Sequence, residues 1–162
     1  CGLLVIDPAT GLPWMPAAVR LRTPIAAERT ALRAHLLAFN PPLNTTIGIV
    51  ATTAALTKAE CTKLASVAHD GLARAVRPVH SMLDGDSIFG VSAGTDDLGS
   101  MADIAPAGEP PQRARIRALN AVLEAGAECF AAACTNAIVH ALGTPDTPAY
   151  RDLCPSAFRS AM

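Results

Sequence analysis

The sequence predicts an α/β fold, and three observations point to it. Short apolar runs at 2–6, 45–52 and 87–93 are each bounded by Pro, Gly, Asn or Asp, as strands of a buried sheet are. Between and after them, residues 58–76 and 112–142 carry apolar side chains at helical spacing. The chain is 51% hydrophobic with only 4% aromatic residues, a composition suited to thin, closely packed helices. The expected architecture is a layered α/β sandwich, with the two helices covering a sheet of those three strands. With 162 residues the chain is long enough for one domain, 1–162, with a real core.

Taken in order, Gly2-Leu3-Leu4-Val5-Ile6 reads as the first strand, ended by a turn at Asp7-Pro8-Ala9-Thr10-Gly11. The Pro-rich stretch 12–24 reads as a loop. A helix over 25–39 follows, with Glu28, Arg29 and Arg33 outward, Leu32, Leu36 and Phe39 inward, and His35 at the surface. Pro41-Pro42 stops it. Thr57 is a good N-cap for the helix 58–76, and Glu60 three residues on completes a capping box. Inside that helix His69 and Asp70 are adjacent and so do not face each other, while Gly71 allows another helix to come close. Residues 94–111 read as a long connection. The Ala-rich helix 112–142 leads to an irregular tail docked by Leu153 and Phe158.

The stretch Asn40-Pro41-Pro42-Leu43-Asn44-Thr45-Thr46-Ile47-Gly48-Ile49-Val50 holds the candidate chemistry. A Thr that follows a loop and opens a central strand can attack the carbonyl just upstream, so that the Asn44–Thr45 bond breaks by an N-to-O acyl shift. Thr45 then becomes an amino terminus whose own amine, with a free pKa of about 8, can act as base for its hydroxyl. Taken alone, composition favours the plainer reading of a loop followed by a strand start, since Thr is common in strands and Asn in loops. Asp84 and Asp86 are two residues apart, which puts both carboxylates on one side of an extended chain, where they can hold an ammonium or hydroxyl. An Asp-Gly hairpin turn accounts for the same residues. Cys1-Gly2 raises a further candidate, an amino-terminal Cys nucleophile.

Net charge is −1, which gives no electrostatic case for nucleic acid or an anionic membrane. No uninterrupted apolar run approaches the roughly 18 residues of a spanning helix, because Arg115, Arg117, Glu124, Glu128 and His140 break the longest one. Cys1, Cys61, Cys129, Cys134 and Cys154 match no metal or redox spacing; they read as reduced and mostly buried in a cytoplasmic protein. No metal or cofactor is implied. The high apolar fraction suggests surface covered by a partner segment or by a copy of the chain in a homo-oligomer. A chain opening on Cys1 inside an apolar run reads as a piece of a longer one.

Four motifs in one order carry a resemblance: Asn-Thr-Thr-Ile-Gly-Ile-Val-Ala-Thr at 44–52, Ala-Ala-Leu-Thr-Lys at 54–58, Ala-His-Asp-Gly-Leu-Ala-Arg-Ala at 68–75 and Asp-Gly-Asp-Ser-Ile-Phe at 84–89. Together they resemble the L-aminopeptidase/D-esterase family, which includes the endo-type nylon-oligomer hydrolase. The resemblance covers residues 2 to 93 and, more loosely, the part after 112. It implies an αββα sandwich similar to that of amino-terminal-nucleophile hydrolases, of which this chain is the C-terminal part. Residues 1–44 then end a large segment, and 45–162 form a small segment that begins with the nucleophile. It implies autocleavage between Asn44 and Thr45 and hydrolysis of a small peptide or 6-aminohexanoate-type amide through an acyl-enzyme on Thr45, with Asp84 and Asp86 fixing the amine and hydroxyl. Asp7 falls where the family often has a pocket-facing Asn; a carboxylate cannot donate as an amide can. The family also supplies a lysine near the nucleophile from further upstream, whereas the two lysines here are Lys58 and Lys63. An inactive or structural α/β subunit, paired with the upstream segment, is the alternative.

Overall fold

A computed structural model describes residues 2–38, 45–82, 84–99, 106 and 108–158. The elements are α1 (Ala26–Ala38), β1 (Ile47–Ala54), α2 (Lys58–Ala75), β2 (Ser87–Asp96), α3 (Pro111–His140) and α4 (Tyr150–Leu153), with 3₁₀ turns at Gly2–Val5 and Pro155–Phe158. The protein is thus of mixed α/β class. The chain divides into two compact units. One comprises Cys1–Thr45, Leu72–Gly85 and Ala131–Met162, and the other Thr46–Gly71 and Asp86–Phe130.

The second unit holds the sheet. β1 and β2 pair in parallel with Ile47 opposite Ser87 and Ile49 opposite Phe89, and the register slips between Thr52 and Ala54. A parallel pair needs a crossover, and α2 supplies it. Thr57 and Glu60 start that helix as the sequence predicts: Thr57 N–H donates to Glu60 Oε2 at 2.8 Å and Glu60 N–H to Thr57 Oγ1 at 3.3 Å. The Arg115 guanidinium grips the same carboxylate with two bonds of 2.6 and 3.1 Å. Arg115, followed by the Thr57 N–H, holds Glu60 down to about 2 from the usual 4.5.

Close approach in this unit depends on missing side chains. A Cβ on Gly71 would lie 2.1 Å from the Ala127 carbonyl oxygen, and one on Gly90 2.2 Å from that of Cys61. The first glycine lets α2 touch α3, and the second lets α2 press on β2, so the reading of Gly71 as a close-approach residue holds. Burial alternates along β1 and along β2 as far as Ser92, as a half-covered sheet requires. Val50 and Ala54 are buried, whereas Ile47 and Ile49 are 75% and 66% exposed and Phe89 58%. One sheet face is therefore core and the other is apolar and uncovered.

In the first unit the core is Ile6, Leu32, Val139, Tyr150, Cys154 and Ala157, with Leu36, Leu153 and Phe158 against it. The Tyr150 hydroxyl donates to the Gly11 carbonyl at 2.7 Å. Burial pushes that hydroxyl's pKa upward and the Cys154 thiol's up to about 11. The tail is thus docked by Leu153 and Phe158, as the sequence predicts, and by Tyr150 and Cys154 as well.

Three expectations need correction. Residues 2–6 are not a sheet strand. Ile6 N–H closes a short turn on the Leu3 carbonyl at 2.9 Å. Among the described residues the strand-like pairing of 2–6 is one isolated antiparallel bridge, Ile6 with Pro13. Leu4 O accepts from Trp14 Nε1 and the Arg77 N–H, and Val5 O from the Trp14 N–H. Val5 and Ile6 are buried all the same, so the apolar run gets its burial without a sheet. Second, α3 is, by length and composition, apolar enough to cross a membrane, even though Glu124 and Glu128 interrupt it. Here it is a packed helix: Leu123, Ala127, Phe130, Ala131 and Val139 are all buried. Third, of the described cysteines only Cys134 and Cys154 are buried; Cys61 is half-buried and Cys129 exposed.

Candidate active site

The chain passes from the first unit to the second between Thr45 and Thr46, and again between Gly85 and Asp86. In the first unit Thr45 is exposed just before β1. Its side chain lies over Gly85, where an added Cβ would sit 3.0 Å from Thr45 Oγ1. Asp84, half-buried, closes its own turn: Oδ2 accepts the Ser81 N–H at 2.6 Å, and the Asp84 N–H donates to the Ser81 carbonyl at 3.1 Å. His80 enters this turn with φ at 56°, a left-handed conformation that His adopts more readily than most residues.

In the second unit the Thr46 N–H donates to Asp86 Oδ1 at 2.8 Å, and the Thr46 carbonyl accepts the Ser87 N–H at 2.8 Å. Asp86 thus fastens the residue that follows Thr45 to the start of β2. The structure therefore brings Thr45 to Gly85 and Thr46 to Asp86, while the Asp84 carboxylate serves its turn. Asn44, the other partner of the expected cleavage, lies outside the described residues, as do Cys1 and Phe39.

Asp7 is half-buried and its carboxylate is used locally. Oδ1 accepts the Ala9 N–H and Oδ2 the Thr10 hydroxyl, both at 2.9 Å. This is the turn-forming role that Asp commonly takes. His69 is half-buried on α2 while Asp70 is exposed, so the two face different ways. His35 is half-buried rather than at the surface. It lines an apolar cavity of about 180 Å³ with Leu3, Ile138, Leu142, Pro148 and Tyr150; neither Thr45 nor Asp84 borders it. His140 Nδ1 meets the Asn136 carbonyl at 2.9 Å, and the Asn136 side chain accepts the Ala18 N–H. Among the described residues no three His, Cys, Asp or Glu come together as a metal site.

Sequence reasoning missed two participants. Ser81 sits three residues before Asp84, a spacing that marks an Asp-closed turn. Gly85 carries no local signal beyond its place between two acids.

An exposed threonine just before β1 thus lies over the glycine between two aspartates. Residues 9–148 match the sequence model of peptidase family S58. That is most of the chain, and the chain belongs to this family of peptidases, as the four motifs implied. Among individual proteins, it is 43% identical, over 96% of its length, to uncharacterized aminopeptidases of Mycobacterium tuberculosis and Mycobacterium bovis. To one of Mycobacterium leprae it is 40% identical over 95% of its length. The chain spans less than half the length of these relatives, 46% of the first two and 42% of the third.

Proposed function

We propose that this chain is the nucleophile-bearing part of a self-processing aminopeptidase. The observation that carries the reading is the Thr45 hydroxyl, exposed at the head of β1 and lying over Gly85. The aminopeptidase names of the relatives favour substrates with a free amino terminus over 6-aminohexanoate oligomers.

In processing, Thr45 Oγ1 attacks the Asn44 carbonyl. The C–N bond breaks, an ester forms, and the Thr45 amine takes up the proton. Water then cleaves the ester, leaving Asn44 with a carboxylate and Thr45 as an amino terminus. In turnover the same hydroxyl attacks the substrate carbonyl while the Thr45 amine accepts its proton and passes it to the leaving amine. Water releases the acyl group. Asp86, by holding the Thr46 N–H, fixes the backbone next to the nucleophile. After cleavage Asp84 and Asp86 supply negative charge for the Thr45 ammonium. Asp7, bonded within its own turn, supplies no donor to the site.

The uncovered face of Ile47, Ile49, Phe89 and Val91 supports a second sheet packed on this one from the upstream segment, giving the αββα sandwich. The test uses the full-length protein and an amino-acid anilide. Thr45→Ala abolishes both processing and hydrolysis, and Thr45→Ser keeps part of each. Robust hydrolysis by Thr45→Ala would remove Thr45 as the nucleophile, and an uncleaved, inactive wild-type chain would leave only a structural subunit.

A further inference from the structure

We propose that Gly85 is a positioning residue for Thr45, one that keeps clear the space in which the hydroxyl turns to attack. This rests on the reading of Thr45 as nucleophile. Within 4 Å a Cβ at position 85 would meet, among the described residues, only the Thr45 side chain: Oγ1 at 3.0 Å and Cγ2 at 4.0 Å. The first contact is tighter than a relaxed carbon–oxygen approach, so the hydroxyl would have to give way.

The usual reasons for a glycine do not apply here. Gly11, Gly94 and Gly108 have φ near 70–85°, which other residues avoid, and Gly85 is not among the positive-φ glycines. Gly71 and Gly90 face backbone carbonyls of packed helices, and a side chain there would push elements apart. Gly85 is exposed, and no such carbonyl faces it among the described residues. What excludes a side chain is the one hydroxyl the mechanism uses. Both reactions build a tetrahedral carbon on Thr45 Oγ1, so the acyl group must arrive where the hydroxyl now has room. A methyl group at 85 moves that oxygen by a few tenths of an ångström and narrows the approach. Misplacement of reacting atoms by about 1 Å costs on the order of a hundredfold, so a smaller shift costs about tenfold. The loss falls on the chemical step.

The experiment compares Gly85→Ala, Thr45→Ser and the double variant in the full-length protein. Gly85→Ala is expected to slow Asn44–Thr45 cleavage and lower kcat by about tenfold, with KM and Tm little changed. Thr45→Ser removes Cγ2 and frees the hydroxyl to choose another rotamer, so Gly85→Ala costs less than about threefold in that background. Three results overturn the inference: wild-type cleavage and kcat in Gly85→Ala beside an inert Thr45→Ala, a rate loss that tracks a fall in Tm, or an equal loss in the Thr45→Ser background. Full turnover in Thr45→Ala is different, because it removes the nucleophile itself and the inference with it.

Discussion

Two aspartate-bearing turns in this protein look alike in sequence and behave differently in structure. At 7–11 the Asp7 carboxylate accepts from Ala9 and Thr10, two and three residues away. At 81–86 the Asp86 carboxylate accepts from Thr46, forty residues away in sequence, while Asp84 accepts from Ser81, three away. A carboxylate satisfied within its own turn shapes that turn. One that reaches a distant strand sets the position of something else, here the backbone that follows Thr45. The comparison ranks the acids for mechanism: Asp86 first, Asp84 next, Asp7 last.

The largest effect tests the point around which the acids are ranked. Thr45→Ala is expected to lower amide hydrolysis by on the order of 10⁴-fold or more, since residues acting as a nucleophilic unit fail together. Comparing initial rates of purified wild type and variant checks it. Asp86→Asn keeps an oxygen for the Thr46 N–H but loses the charge. Loss of an ionic partner costs about 1.5–3 kcal/mol, or roughly ten- to a hundredfold in kcat/KM. Asp84→Asn can still accept the Ser81 N–H, so its loss is expected at the lower end, about tenfold. Equal and negligible losses in both would break the ranking.

Glu60 combines the two behaviours, being bonded to Thr57 beside it and to Arg115 fifty-five residues away. Its carboxyl titrates near 2 in the folded protein, below the ordinary 4.5. The stability it adds is therefore full above about 4.5 and disappears as pH falls through about 2. Urea midpoints of wild type and Glu60→Gln should differ at neutral pH and converge toward pH 2. The smallest effect belongs to Asp7→Asn. Asn supports the same turn, so the melting temperature should stay within the scatter of surface substitutions, about 0.5 kcal/mol, and kcat/KM should be near wild type. A large rate loss there would return Asp7 to the mechanism.

Much of this was legible in the sequence because it is local. The Thr57–Glu60 box, the apolar spacing of α2 and α3, the small residue at Gly71 and the β-branched run of β1 all act over a few residues. The run 2–6 misled because five apolar residues carry no period, and their backbone bonds go to Trp14 and Arg77, partners the run itself cannot reveal. The buried role of Tyr150 depends on Gly11, 139 residues away. At the candidate site Thr45 and both aspartates could be picked out, but not which oxygen bonds which amide. Nor could Gly85 be picked out, because its role exists only once Thr45 is folded over it.

The central claim is that one hydroxyl cuts its own chain and then its substrates. Amino-terminal sequencing of the full-length protein after purification tests it most directly. The account predicts two fragments, the smaller beginning Thr-Thr-Ile-Gly at Thr45. A single uncut chain, or a small fragment beginning at any other residue, contradicts it.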